Sequence, residues 1–248
     1  MNKLPISVVI IAFNEEKNIE RCLRSASFAE EIILVDSYSA DNTCQIAQNL
    51  GAKVYQQSWL GFGPQKRFAT SKANFDWILS LDADEEVSES LYQEIELKLS
   101  GLDPQVGYLI PRKSWFLGRW IMHGGWYPDF QLRLFNKQFS NWSDDPIHEK
   151  VLSRQKQKFQ SCLHHYVFKN ISDQVNTNDR YSSLQADQMK SKNKKFFIFT
   201  MLIRPWFKFL ETYVLKKGFL DGLPGLIISI NAAYSNFLRY AKLWEKGQ

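Results

Sequence analysis

Residues 6–12 read Ile-Ser-Val-Val-Ile-Ile-Ala, an apolar and mostly β-branched run broken only by Ser7. A strand with one face in water alternates apolar with polar side chains. A near-continuous run belongs instead to a strand covered on both faces, as at the centre of a parallel sheet. Residues 14–26 have a helical pattern: Asn14-Glu15-Glu16 offers caps, and Ile19, Cys22, Leu23 and Ala26 recur at helical spacing. A second strand, Glu31–Val35, runs into Asp36. Asp41-Asn42-Thr43 then opens a helix with Ile46, Ala47 and Leu50 inward, stopped by Gly51. Ala52–Tyr55 is a third strand, 64–73 a helix, and Asp76–Leu81 a fourth strand ending in Asp82-Ala83-Asp84. Strand-helix alternation with short connections predicts an α/β fold whose mostly parallel sheet is wound by right-handed crossovers.

The sequence has 248 residues, enough for one large domain or a domain with a substantial appendage. Cys22, Cys44 and Cys162 are odd in number and widely spaced, which argues against a disulfide framework or a zinc site and suits a reducing compartment. Met1–Pro5 leads straight into a strand, so no signal peptide is expected there. No apolar stretch is long enough to predict a bilayer-spanning helix.

Ligands of open α/β sheets bind beyond the C-terminal ends of the strands. Those ends carry Ala12-Phe13-Asn14-Glu15, then Asp36-Ser37, then Asp82-Ala83-Asp84. Two carboxylates one residue apart at the end of a buried strand are costly unless a positive charge compensates them. A hard cation, Mg²⁺ or Mn²⁺, carrying a diphosphate does so with a few carboxylate oxygens and the phosphate oxygens. Each piece has a plainer alternative: a solvated acidic turn at 82–84, a helix cap at Asn14 or Glu15, a turn former at Asp36. Their convergence favours a nucleotide pocket, and neither Gly-x-x-x-x-Gly-Lys-Ser/Thr nor Gly-x-Gly-x-x-Gly is present to compete.

Ser7–Glu16, Val35–Thr43 and Asp82-Ala83-Asp84, taken in order, resemble inverting family 2 glycosyltransferases of the GT-A fold. Gly124–Phe135 and Ile147–Val151 are similar to the branch holding lipopolysaccharide-core β-1,4-glucosyltransferases. The resemblance covers about residues 5–170. It implies metal-dependent transfer of a hexose, glucose from UDP-glucose foremost, onto a lipopolysaccharide-core or other lipid-linked saccharide. It also implies that Ala12, Phe13, Asn14 and Glu15 line the uridine pocket and that Asp36 binds the base. Asp84 would hold the cation, with Asp82 and Ala83 beside the donor. Lys66 and Arg67 either meet the diphosphate or lie on a solvated helix face. The acceptor hydroxyl needs a base. Asp129 occupies the place of an acidic pair that opens an acceptor-side helix in relatives, though here the pair reads Pro128-Asp129. Glu149 is the alternative. His148 is a metal ligand or structural, His123 before the Gly-Gly pair lines the acceptor cleft, and His164-His165 receives no role. Arg133 holds a phosphate or an ordinary ion pair.

Charge divides the chain. Residues 1–149 hold 14 Lys and Arg against 20 Asp and Glu, a net of −6; residues 150–248 hold 17 against 6, a net of +11. The predicted organisation is a transferase domain over 1–170 and a helical, basic and aromatic extension over 171–248. In the extension, Lys190, Lys192, Lys194 and Lys195 precede aromatic runs around 196–209. That pattern suits helices lying among anionic headgroups, which places the protein in the cytoplasm on the inner face of the membrane. Packing on the catalytic domain and dimerisation are the alternatives, and nucleic acid is not an expected partner. Another surface-glycan or polyprenyl-phosphate sugar transferase is the runner-up function, followed by a nucleotide-binding module without turnover.

Overall fold

The computed structural model describes residues 3–143 and 150–247, which form two compact units. The units are not contiguous in sequence. The first comprises residues up to 112 and 130–165; the second joins 113–129 to the helices after 165. An internal segment, 113–129, is thus grouped with the C-terminal helices.

The first unit opens with β1 (Leu4–Ala12), α1 (Ile19–Ser25), β2 (Ala29–Asp36), α2 (Thr43–Asn49), β3 (Lys53–Gln56), α3 (Phe62–Ser71) and β4 (Trp77–Asp82). β1 pairs in parallel with β2 on one side and β4 on the other, and β3 extends the parallel sheet beyond β2. Val8, Ile10 and Leu79 pack in one apolar core and Val9, Ile33 and Ile78 in a second. Burial of alternate β1 residues in two cores is why the strand shows no polar alternation. Then come β5 (Glu85–Val87), α4 (Glu89–Lys98), β6 (Val106–Phe116), β7 (Arg119–Ile121), β8 (Asp129–Asn136), β9 (Asn141–Trp142), β10 (Val151–Leu152), β11 (Gln155–Lys158) and β12 (Leu163–His165). The sheet order is β3-β2-β1-β4-β8-β6-β12-β5, with β8 antiparallel to β4 and β12 antiparallel to β5. The parallel half is the half that the apolar runs predict.

One buried carboxylate fastens this half. Glu31 in β2 accepts from Ser7 Oγ at 2.6 Å, Lys53 Nζ at 2.6 Å and the Asn74 amide at 2.8 Å. Burial opposes its ionisation, but the Asn74 amide, Lys53 and Ser7 outweigh that and hold its pKa below the usual value.

In the second unit, the end of β6 and β7 form a hairpin in which Ser114 opposes Ile121 and Phe116 opposes Arg119. Phe116 and Ile121 pack with Ile228 of α7 (Gly222–Glu245). α5 (Ile171–Ser191) is capped by Asn170, whose side chain accepts from the Asp173 amide at 2.8 Å. α6 (Ile198–Leu210) follows, then a wide helical turn over 211–215. Asp221 is fully buried and accepts from the Met122 and His123 amides, His123 Nδ1 and Arg119, joining the hairpin to the start of α7. Gly225 lies so close to Gly218 that a Cβ there would sit 1.9 Å from the Gly218 carbonyl oxygen. Among the described residues, no helix is long and apolar enough to cross a membrane.

Candidate active site

The turns that follow β1 and β2 are stitched to each other. The Asn14 amide donates to Ser39 Oγ at 2.8 Å, and Asn14 Oδ1 accepts from the Ala40 amide at 2.9 Å. The Glu15 amide donates to Thr43 Oγ1 at 2.9 Å, and the Ser37 amide returns to the Ala12 carbonyl at 2.9 Å. Asp36, fully buried, caps its own turn by accepting from the Ser39 amide at 2.8 Å and Ser39 Oγ at 2.5 Å. Asn14 and Tyr38 adopt left-handed backbone conformations, φ 56° and 62°. Sequence alone pointed to Asn14, whose type tolerates this conformation, but not to Tyr38. Phe13 and Tyr38 remain 58% and 57% exposed, two aromatic faces at neighbouring strand ends.

At the end of β4 the Asp-x-Asp carboxylates have separate surroundings. Asp82 pairs with Lys66 Nζ at 2.9 Å, with Arg133, and with Arg112 at 3.8 Å. Glu85, fully buried, accepts from Arg133 at 2.5 Å, Arg112 at 3.2 Å and the Asp82 amide at 3.0 Å. Burial alone would raise the Asp82 pKa. Arg133 first, then Lys66 and Arg112, reverse this and hold the carboxyl well below the usual range. The Arg133 guanidinium is pushed upward in turn, because Asp82 and Glu85 more than offset its own burial. Lys66 is therefore a buried partner of Asp82 and not a solvated helix position. Its neighbour Arg67 donates to the Trp142 carbonyl at 3.0 Å.

Asp84 faces a different residue. His165 Nε2 lies 3.3 Å from Asp84 Oδ2, brought there because β12 runs antiparallel to β5 with His165 opposite Glu85. His165 carried no sequence signal beyond alternation in a short strand. Ala83 is buried between the two carboxylates. Asp129 is the first residue of β8, so the Pro128-Asp129 pair of this chain opens a strand. The peptide bond before Pro128 is cis. His123 is a structural partner of Asp221. Glu149 and His148 lie outside the described residues.

These strand-end turns, followed by Asp-x-Asp at β4, accompany a match of residues 7–158 to the family described as Glycosyl transferase family 2. The chain belongs to glycosyltransferase family 2. An uncharacterized glycosyltransferase of Rickettsia typhi is 34% identical over 255 residues, covering 97% of this chain and 87% of the relative. The lipopolysaccharide core biosynthesis glycosyltransferase LpsC of Rhizobium meliloti is 26% identical, covering 98% and 93%. A solved structure of glucosyl-3-phosphoglycerate synthase from Mycobacterium tuberculosis, in complex with Mn²⁺, UDP and glucosyl-3-phosphoglycerate, is 26% identical with a TM-score of 0.36. That likeness spans 46% of this chain and 44% of the other. As a family 2 glycosyltransferase this chain has the GT-A class of α/β fold, with C-terminal helices added.

Proposed function

We propose that this family 2 enzyme transfers a hexose with inversion, with UDP-glucose as the leading donor. The acceptor is a lipopolysaccharide-core or other lipid-linked saccharide at the anionic inner face of the cytoplasmic membrane. The observation that supports the donor site is Asp84 paired with His165 just beyond the end of β4, next to the cluster of Lys66, Arg112, Arg133, Asp82 and Glu85. The three cations there balance Asp82, Glu85 and Asp84, so the positive charge a diphosphate needs would come from a divalent cation held by Asp84.

Among the described residues no group of three or more His, Cys, Asp or Glu gathers as a metal site; Asp84 and His165 are the pair that would contribute ligands, with the diphosphate oxygens supplying others. Neighbouring ligands of an octahedral Mg²⁺, each about 2.1 Å from the ion, are roughly 3.0 Å apart. Asp84 Oδ2 and His165 Nε2, at 3.3 Å, have close to that spacing. When bound, such a cation neutralises the leaving diphosphate. Asp82, already neutralised by its cations, fixes the end of β4 so that Asp84 is presented with little freedom. Ala12 through Glu15 and Asp36 shape the nucleoside floor, and Phe13 and Tyr38 offer faces on which a base stacks. Asp129 takes the acceptor proton, with Glu149 the alternative base.

Asp84→Ala abolishes transfer and metal-dependent UDP binding in calorimetry while leaving circular dichroism unchanged. Full activity of the wild type in chelator, or of the variant, rules out this donor site. UDP release measured with and without a lipopolysaccharide-core acceptor separates a transferase from a nucleotide-binding module.

A further inference from the structure

α6 has its amphipathicity reversed with respect to the protein that carries it. Met201 and Arg204 occupy the side nearer α7: Met201 packs against the cluster of Ala186, Tyr240 and Leu243, and the Arg204 guanidinium lies 5.6 Å from the Tyr240 ring centroid. The opposite side is the apolar one. Phe199, Leu202, Ile203, Trp206 and Leu210 follow i, i+3, i+4, i+7, i+11 spacing and so form one stripe. All five are exposed, Phe199 and Trp206 at 73% each, and no residue of α6 is buried. The stripe amounts to roughly 600 Å² of apolar surface, at the upper limit of what a monomer leaves in water without a use for it. Beyond the helix, Leu215, Leu220 and Leu223 are exposed too.

Charge identifies what covers the stripe. Between residues 190 and 217 the sequence has eight Lys and Arg and a single acid, Glu211. Glu211 is already paired with Lys208 at 3.0 Å and Lys216 at 2.5 Å. Lys192, Lys194 and Lys195 are exposed immediately before α6, and Lys216 and Lys217 shortly after it. A second copy docking through α6 would bring these cations against their own counterparts. An anionic headgroup layer complements them, at about 1 kcal/mol per basic residue close to the surface. With 13 residues, α6 is about 20 Å long and falls short of the roughly 30 Å hydrocarbon core. It can lie in the interface but cannot cross it.

We propose that α6 is an in-plane membrane anchor. Phe199, Leu202, Ile203, Trp206 and Leu210 enter the headgroup–acyl boundary of an anionic bilayer, and the flanking lysines hold the headgroups. The proposal rests on the membrane part of the function proposed above, not on the sugar or the metal. It assigns that attachment to one helix.

The test uses the full chain with phosphatidylcholine vesicles, with and without phosphatidylglycerol. Wild-type protein co-sediments with the anionic vesicles, less so as salt rises, and brominated acyl chains quench its fluorescence. Trp206→Phe retains binding and loses much of that quenching. Leu202→Gln with Trp206→Gln weakens binding about tenfold or more, because apolar insertion and charge both contribute to affinity. The independent pair Phe199→Gln with Ile203→Gln does the same, which guards against a local folding defect in either pair. Replacing Lys192, Lys194 and Lys195 by Gln weakens binding at low salt and flattens the salt dependence. Wild-type protein that ignores anionic vesicles at low salt overturns the proposal, as do Gln pairs that bind like wild type. Lipid-free dimers dissolved by either Gln pair would make the stripe a protein interface. UDP binding followed in parallel keeps the two conclusions apart: wild-type protein that binds vesicles but not UDP loses its donor site and keeps its anchor.

Discussion

Replacing Arg133 with methionine removes one cation from a cluster of five charged groups and keeps most of its apolar volume. Arg133 is buried and serves both Asp82 and Glu85. At an effective dielectric constant near 20, opposite unit charges about 3 Å apart attract by about 5 kcal/mol before desolvation is counted. Removing one partner of a buried pair costs about 3–5 kcal/mol, because the remaining charge is left uncompensated. Lys66 and Arg112 still hold Asp82, and Arg112 still holds Glu85, so the loss falls at the lower end, about 3 kcal/mol at pH 7. Urea unfolding followed by tryptophan fluorescence measures it. In wild type the depressed Asp82 pKa means that this stabilisation is present at neutral pH and lost as pH falls through the folded pKa. In the variant Asp82 loses its strongest partner, so the gap between the two proteins narrows as pH falls below the ordinary Asp range of about 3.9. Glu85→Gln in the same chain restores part of the loss, because one unmatched charge disappears with it. A deficit below about 1 kcal/mol at pH 7, the range of an exposed pair, would refute the account of a mutually dependent cluster. A gap independent of pH, or strict additivity with Glu85→Gln, would refute it equally.

Asp129→Asn keeps size and hydrogen bonding but removes basicity, so turnover falls about 10²–10⁴-fold while calorimetric UDP affinity is retained. If Glu149→Gln gives that pattern instead, the base is Glu149. Gly225→Ala forces a Cβ into the Gly218 carbonyl and lowers stability by about 3 kcal/mol, roughly 6–12 °C in Tm by calorimetric scan. An unchanged Tm would mean that the start of α7 gives way without cost. Glu31→Gln removes a carboxylate whose folded pKa is depressed, so its contribution is present above the ordinary carboxylate range and lost as pH falls below about 4.3. The variant is less stable than wild type at pH 7, and the two converge in acid; equal stability at pH 7 contradicts this.

The parallel half of the sheet was legible because burial on both faces leaves its mark residue by residue. Ile6–Ala12, Glu31–Val35 and the strand into Asp82 carry that mark, and the polar ends of those strands located the candidate site. The distal half leaves fainter traces, since β9, β10 and β12 are only two or three residues long and set by pairing. His165 reaches Asp84 through strand register, a tertiary fact with no local period. Arg133 was open between phosphate and ion pair, because spacing along β8 does not reveal which acids stand opposite it. The strand after Pro128 is set by the pairing of β8 with β4, a contact made far along the chain. Nor does any composition shift mark 113–129 as part of the C-terminal unit. Its partners Asp221 and Ile228 are distant in sequence, and only the folded chain brings them together.

That late partnership sets a timetable for synthesis. When the ribosome has finished β12, every strand of the first unit has been synthesised, but Phe116 and Ile121 still await Ile228. At about 5–20 residues per second, the wait from Ile121 to Ile228 lasts on the order of 5–20 s. During that interval the apolar hairpin lacks its partner on α7. The nascent chain is then a natural client for a holdase or for the membrane surface itself. A gene fragment stopped at residue 165 would carry the same uncovered hairpin permanently.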